Sequence, residues 1–314
     1  MVELNGKKIL VTFLMHLGDL TLTTPFIHAL RKAAPDAHIT MLVDEKLKDV
    51  VLFNPYLDEV VTIDKKGRDN SILSLWACSR HLSKLDFDVL INLHPNERCS
   101  FIDAMTSVKL RTGTTHKIFK WFWDVFTPLD RSMHAADMYL DVLQQLGVQD
   151  LSNNGLEIFP GEEHFLEAEL FWQEQNITDQ DKLIGFNIGS AVPTKRWPPE
   201  RFAEVADIFA AKGYKTVFFG GPMDEEMVAE ATGYMQTRPI IATGHFAIGG
   251  LAAAMRRCCL IITNDSGPMH VAISQKVPIV AMYGPSNPKL YGPYTKDAVI
   301  VTAQPPCQGC ADGM

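Results

Sequence analysis

No run of apolar residues in this chain approaches the ~18 needed to cross a bilayer as a helix, so no spanning segment is expected. Positive charge is in short supply. The formal net charge is −8, which argues against general binding to nucleic acid but leaves room for a local basic patch. The start, MVELNGKKILVTFLM, has a strand-like apolar stretch and no small-residue cleavage site. No signal peptide is read there, and a cytoplasmic protein is expected. The six cysteines do not form a paired metal-binding pattern. Cys78, Cys99, Cys258 and Cys259 sit in or beside apolar segments and read as small core residues. Cys307 and Cys310 make a single C-x-x-C, half a metal site or a redox pair, and no metal is assigned to it. No solenoid-period repeat or low-complexity run occurs. No G-x-G-x-x-G follows the first strand, so the dinucleotide fingerprint is missing.

What remains is an ordinary cored protein. Its 314 residues, 46% hydrophobic and 21% charged, suggest about two domains. Lys8–Met15, His38–Val43, Glu59–Ile63 and Phe87–Leu93 read as buried strands. Helices are expected at about 20–33, 73–85 and 134–146, with Pro25 in the first turns of its helix or kinking it. Residues 147–162, with Gly, Asn, Ser and Pro, read as a linker. A second alternation follows. Its strands are 183–188, 215–219 and 239–242, and its helices 200–212 and 251–257. The acidic start Asp224-Glu225-Glu226 opens another helix. Alternation of this kind indicates doubly wound parallel sheets. One segment stands out: HKIFKWFWDVF, 116–126, holds five aromatics beside Lys117 and Lys120. As a helix it suits either a membrane interface or half-burial against a sheet.

The richest stretch is IITNDSGPMHVAISQKVPIVAMYGPSNP, residues 261–288. It reads as strand, turn, helix, strand, loop. Pro268 fits a first helical turn, where its missing N–H costs nothing. Free N–H groups at such a helix start, with the helix dipole, favour an anion, commonly a phosphate. His270 lies in that first turn. Asp265 ends the strand, at the usual ligand edge of an open α/β sheet, although from position it serves equally as a helix cap. Asp19 follows the first strand in a Gly-Asp turn and suits a general base; capping is its competing reading, and His16 is the rival base. Lys195 lies in a loop directly after a strand, where Gly189 and Ser190 offer N–H and hydroxyl groups and the lysine a point charge.

NDSGPMHVA followed by a strand and GPSNP resembles the C-terminal signature of the ADP-heptose:lipopolysaccharide heptosyltransferases, glycosyltransferase family 9. Lys195, Trp197 and Pro198 match the family's K-x-W-P, and the His-Leu-Gly-Asp form of the first motif is closest to the core heptosyltransferase III subgroup. The resemblance implies the GT-B fold: two doubly wound Rossmann-like domains facing across a cleft. Residues 1–160 would bind the acceptor and 161–314 the ADP-sugar. It implies inverting transfer of heptose to a sugar hydroxyl of the lipopolysaccharide inner core. Asp19 would be the base and Lys195 the group on the phosphate and sugar. Asp265 would orient the sugar, and Ser266, Gly267 and His270 would bind phosphate. Glu226 would bind the ribose, with Glu225 able to serve instead. Ser190-Ala191 stands where many members carry Thr-Thr, so one phosphate hydroxyl is missing. Partners would be ADP-heptose as substrate, a lipid-linked core oligosaccharide and the inner face of the inner membrane, with no cofactor, metal or nucleic acid. The final helix that crosses back in GT-B chains has no room after Cys310. Rival readings are a nucleotide-sugar epimerase of the same fold, a binding protein without catalysis, and a heptosyltransferase acting on protein.

Overall fold

The computed structural model describes residues 2–302; Cys307, Cys310 and the region of any final crossover helix lie outside the described residues. The chain divides into two compact units, Met1–Asn154 and Gly155–Met314. The first runs β1 (Lys8–Thr12), α1 (Leu17–Thr21), α2 (Thr24–Ala33), β2 (His38–Asp44), β3 (Glu59–Ile63), α3 (Ile72–Ser83), β4 (Val89–Asn92), α4 (Glu97–Met105), β5 (Leu110–Gly113), β6 (Val125–Phe126) and α5 (Ala135–Gln145). The second runs α6 (Glu162–Glu174), β7 (Leu183–Asn187), α7 (Pro199–Ala211), β8 (Lys215–Phe219), α8 (Glu225–Tyr234), β9 (Ile240–Ile241), α9 (Ile248–Met255), β10 (Cys258–Asn264), α10 (Gly267–Ser274), β11 (Ile279–Tyr283), α11 (Pro288–Tyr291) and β12 (Ala298–Thr302).

Both sheets are wholly parallel and wound alike. The first has the order β3-β2-β1-β4-β5-β6 and the second β12-β11-β10-β7-β8-β9. Read from either edge, the unit's first strand is central and the winding reverses beside it, between β1 and β4 or between β7 and β10. Helices cover both faces, α3 beside α4 and α2 beside α5 in the first unit, α6 beside α9 and α7 beside α8 in the second. Strands buried on both faces need continuous apolar side chains rather than alternation, as KILVT, VLIN and LIGFN supply. Leu10, Leu42 and Leu90 pack under Leu75, Leu82 and Ile102. Phe186 and Phe218 stack at 5.2 Å beneath Phe202 and Val228.

The structure departs from the sequence reading in four places. The helix expected at 20–33 is two helices, broken at Leu22–Thr23, with Pro25 in the first turn of α2, where a proline fits. Helix α6 was not anticipated, because Leu166 and Leu170 stay exposed and blur its apolar stripe. Segment 116–126 is no α-helix: a 3-10 turn, Lys117–Phe122, leads into the short edge strand β6. Trp123 is buried there and donates Nε1–H to the Thr112 carbonyl at 3.0 Å, whereas Trp121 is 94% exposed. Of the four cysteines read as core, Cys99 and Cys258 are buried and Cys78 half-buried. Cys259 is exposed, because β10 is irregular between Cys258 and Leu260 and turns that side chain outward.

One buried carboxyl braces the first sheet. Asp103 of α4 is fully buried, and its Oδ2 accepts from Thr12 Oγ1 at 2.9 Å and Asn92 Nδ2 at 2.6 Å, at the ends of β1 and β4. Burial pushes its pKa from 3.8 up to about 7, against the pull of those hydrogen bonds. A raised acid keeps its proton in the fold at a pH where the unfolded chain has lost it. Its contribution is therefore full below about pH 4 and lost as pH rises to about 7, a change of at most about 4 kcal/mol. Urea unfolding of wild type and Asp103→Asn should show wild type losing stability relative to the variant across that window. A pH-independent difference would mean that the native carboxyl is charged throughout.

Candidate functional site

In an open parallel sheet the ligand crevice lies beyond the carboxyl ends of the strands, where the winding reverses. In the second unit that point is between β7 and β10, and the loops after both strands carry the sequence candidates. Two asparagines stitch these exits together. Asn264, fully buried, accepts the Trp197 N–H at 2.9 Å and donates to the Ile188 carbonyl at 2.7 Å. Asn187 donates to Thr263 Oγ1 at 3.1 Å and to Ser266 Oγ at 2.9 Å. Arg196 Nε closes the intervening loop on the Ser190 carbonyl at 2.8 Å, and Trp197 rests edge-on against Phe202. The loop after β11 comes close as well: a Cβ on Gly284 would stand 3.0 Å from the Thr194 carbonyl.

This framework brings Lys195 to Asp265. Lys195 Nζ lies 2.7 Å from Asp265 Oδ2, with the lysine side chain 24% exposed and the aspartate 6%. Asp265 does not cap the helix: the residue at that position is Ser266, whose side chain makes no capping bond and instead receives Asn187. Gly267 opens α10, so its N–H groups keep their anion-binding character, and His270 is buried in the same helix. Ser190, also buried, approaches the Asp265 carbonyl at 3.4 Å. Burial, and then the Asp265 carboxylate beside it, hold the Tyr283 phenol protonated, and its hydroxyl donates to the Tyr291 carbonyl at 3.0 Å.

Glu226 and Glu225 both lie in the exposed first turn of α8. Glu225 reaches Gly244 after β9, and the carboxylate at the exits of β7 and β8 is Asp224, which the sequence reading did not single out. It accepts the Gly221 N–H at 2.9 Å, and a side chain on Gly189 or Gly220 would run into it. Those glycines after β7 and β8 were the signal that something must approach closely.

In the first unit the reversal lies between β1 and β4. Asp19 is in the first turn of α1, half-buried, with the exposed His16 at the helix's N-cap position and making no side-chain cap bond. The loop after β4 adds His94, packed edge-on to Phe13. Burial, reinforced by Arg131 and His16, lowers its pKa to about 4, so it is a neutral imidazole near pH 7. Arg131, the cation near it, had no motif to announce it.

The sequence matches glycosyltransferase family 9 (heptosyltransferase) over residues 75–313. A crystal structure of a family 9 glycosyl transferase from Veillonella parvula DSM 2008 is 57% identical, covers 96% of this chain and 89% of its own, and superposes with a TM-score of 0.95. Lipopolysaccharide heptosyltransferase 3 of Escherichia coli K12 is 24% identical over 297 residues, 90% of this chain and 84% of that protein. The structure of E. coli ADP-heptose lipopolysaccharide heptosyltransferase II, at 23% identity and a TM-score of 0.81, covers 94% of this chain and 90% of its own and shares the fold.

The Lys195–Asp265 pair makes a stability prediction. Asp265 is 5% exposed, and removing one partner of a buried pair leaves the other charge without compensation, at a cost of about 3 kcal/mol. Lys195→Met should lose about that much in denaturant unfolding, and Lys195→Met/Asp265→Asn should recover most of it. Equal stability of the single and double variants would show that the pair carries little energy.

Proposed function

The chain belongs to glycosyltransferase family 9, and from that premise we propose that it moves heptose from ADP-heptose to a sugar hydroxyl of the lipopolysaccharide inner core. It is a glycosyltransferase of two Rossmann-like units. The observation that supports the donor reading is the convergence of Lys195, Asp265, Ser190 and the α10 start at one strand reversal. The names of two relatives, an E. coli lipopolysaccharide heptosyltransferase 3 and an ADP-heptose lipopolysaccharide heptosyltransferase II, supply the sugar and the acceptor class.

On this reading the second unit holds the donor and the first the acceptor. Asp19 takes the proton from the acceptor hydroxyl, whose oxygen attacks the anomeric carbon from the face opposite the diphosphate. The bond to ADP breaks with inversion, and the leaving diphosphate carries away the electron pair. Lys195 and the N–H groups of Ser266, Gly267 and the first α10 turn meet that charge, with His270 beside them. Asp265 accepts sugar hydroxyls and so fixes the ring. Glu226, or Glu225 beside it, accepts the ribose hydroxyls. One lysine with oriented N–H donors balances the leaving group, so the transfer is read as needing neither metal nor cofactor.

A lipid-linked acceptor asks for a surface that meets a membrane. No helix among the described residues is long and apolar enough to cross one. The first unit does expose Ile118, Trp121, Phe122 and Phe126 beside the exposed Lys117 and Lys120, and exposes Ile72, Leu73 and Trp76 at the start of α3. Aromatic rings and lysines of this kind favour the headgroup layer. Trp123, buried under the segment, is excluded from that contact, and Phe119 packs on Phe101. These exposed rings and lysines support the reading that the enzyme works at the cytoplasmic face of the inner membrane.

Mass-spectrometric assay with ADP-heptose and truncated core acceptors, in EDTA, tests the chemistry. Asp19→Asn should cut turnover by about 10²–10⁴-fold, the usual worth of a general base, with ADP affinity nearly unchanged. Wild-type turnover in that variant would remove Asp19 from the mechanism. Turnover of ADP-heptose without acceptor would instead favour the epimerase. Separately, Lys117→Glu/Lys120→Glu should reduce co-sedimentation with anionic liposomes while leaving the melting temperature and activity on a delipidated acceptor unchanged. Liposome binding that the double change does not alter would assign the segment to packing alone.

A further inference from the structure

Lys65 is the one lysine among the described residues whose ammonium bridges the exits of two strands in the first unit. It follows β3, and its Nζ donates to the carbonyls of Leu14 at 3.1 Å and Met15 at 2.8 Å. The same nitrogen pairs with Asp44, the last residue of β2, at 3.1 Å, with the lysine side chain 11% exposed and the aspartate 7%. Two of its three N–H donors go to those carbonyls, and the ion pair with Asp44 compensates its charge. Lys65 is thus held inward at the strand exits, whereas Lys66 and Arg68 that follow it are exposed.

The turn that presents Lys65 is built to hold still. Asp64 accepts the N–H groups of Gly67 at 2.9 Å and Arg68 at 3.1 Å, and its own N–H is received by Asp69 at 3.0 Å. These bonds hold the Asp64 carboxyl below its usual range, that from Arg68 foremost. Arg98 of α4 clasps the far side, donating to the Lys65 carbonyl and, at 2.7 Å, to Asn70 Oδ1. Asp44 is fixed in turn, accepting the Lys46 N–H at 3.2 Å. What the ammonium grips is the pair of carbonyls at 14 and 15, which immediately precede the His16-Leu17-Gly18-Asp19 turn. The side chains of those two residues are held by the core packing of Leu14 and by Asn96 Nδ2 donating to Met15 Sδ at 3.7 Å.

We propose that Lys65 is a positioning residue for catalysis, a tether that fixes the loop carrying Asp19 by holding the Leu14 and Met15 carbonyls against Asp44. The proposal rests on the reading of Asp19 as the base. A buried charge at this place is costly unless all its partners are in place. That makes the loop's position all-or-none rather than adjustable. Loosening it displaces the Asp19 carboxylate by a fraction of an ångström to an ångström, and a misplacement of that size costs up to about 10²-fold in rate.

The test is a kinetic cycle of Lys65→Met, Asp19→Asn and the two combined, with ADP affinity measured by calorimetry. Because Lys65→Met leaves Asp44 buried without its counter-charge, Lys65→Met/Asp44→Asn is made alongside; it removes the tether with no lone charge and keeps the shapes. Tether loss in either form should lower kcat by about 10- to 100-fold, with the donor KM and the ADP Kd within about twofold of wild type. In the Asp19→Asn background the same change should cost less than about threefold further, because the tether then has no base to place. A Lys65→Met/Asp44→Asn enzyme that folds and turns over like wild type overturns the proposal. So do fully additive losses, which would mean that Lys65 acts apart from Asp19. An Asp19→Asn enzyme with normal turnover is a different result: it removes the base assignment, and tether loss that still lowers kcat would then show Lys65 placing some other group of the loop.

Discussion

The hydrogen bonds of Asn264 are the constraint on which the second unit's site depends. A parallel sheet buried on both faces carries few polar side chains along its strands, so the chemical groups gather where strands end. At the β7–β10 reversal two chains leave the sheet in diverging directions, and their backbone groups lose ladder partners. Asn264 supplies one acceptor and one donor there, to Trp197 and Ile188. A buried group left without a partner costs about 1–3 kcal/mol, so these bonds fix the loop path more firmly than the loop's own sequence does. Lys195 reaches Asp265 because the chain between Ile188 and Trp197 is held at both ends.

The first unit solves the same problem with different residues. Thr12 and Asn92 end the two strands at its reversal, and a carboxyl from α4 receives both. Asn92 then accepts the His94 N–H at 2.8 Å, which starts the next loop. Like winding makes like demands, and amide, hydroxyl and carboxyl groups meet them interchangeably. The strand-end residues that look idle beside the candidates hold those candidates in place.

The alternation of strands and helices was legible because each strand is a short apolar run bounded by turn residues. The loop candidates were legible because each follows such a run directly. Residues that act across the sequence were not. Asp224 and Glu226 differ by two positions, and only the helix geometry decides which carboxylate meets Gly189. Lys65 reads as one of several surface cations until its partners, about fifty residues away, are seen. The 116–126 segment misled for another reason. Its composition fits a helix, but β5 must reach a parallel neighbour, β6, within a dozen residues. Trp123 is drawn under the sheet edge to give its N–H a partner, and Trp121 is left outside.

The Lys195–Asp265 pair carries a further consequence for donor choice. As the structure stands, the two charges form an ion pair at 2.7 Å, while Asp265 Oδ2 accepts no hydrogen bond from the described residues. A diphosphate can recruit Lys195 only by competing with Asp265 for it, and a nucleoside diphosphate alone would leave that buried carboxylate without its counter-charge. A nucleotide sugar offers that carboxylate neutral hydroxyl donors in the lysine's place. Its phosphates take the lysine while its ring hydroxyls donate to the aspartate, which in its ionised form can only accept. Under the proposed assignment each half of the pair is released to one half of the donor. The intact sugar nucleotide therefore binds at a smaller electrostatic cost than ADP does, and breaking the bond between them gives the pair back to itself as the product leaves.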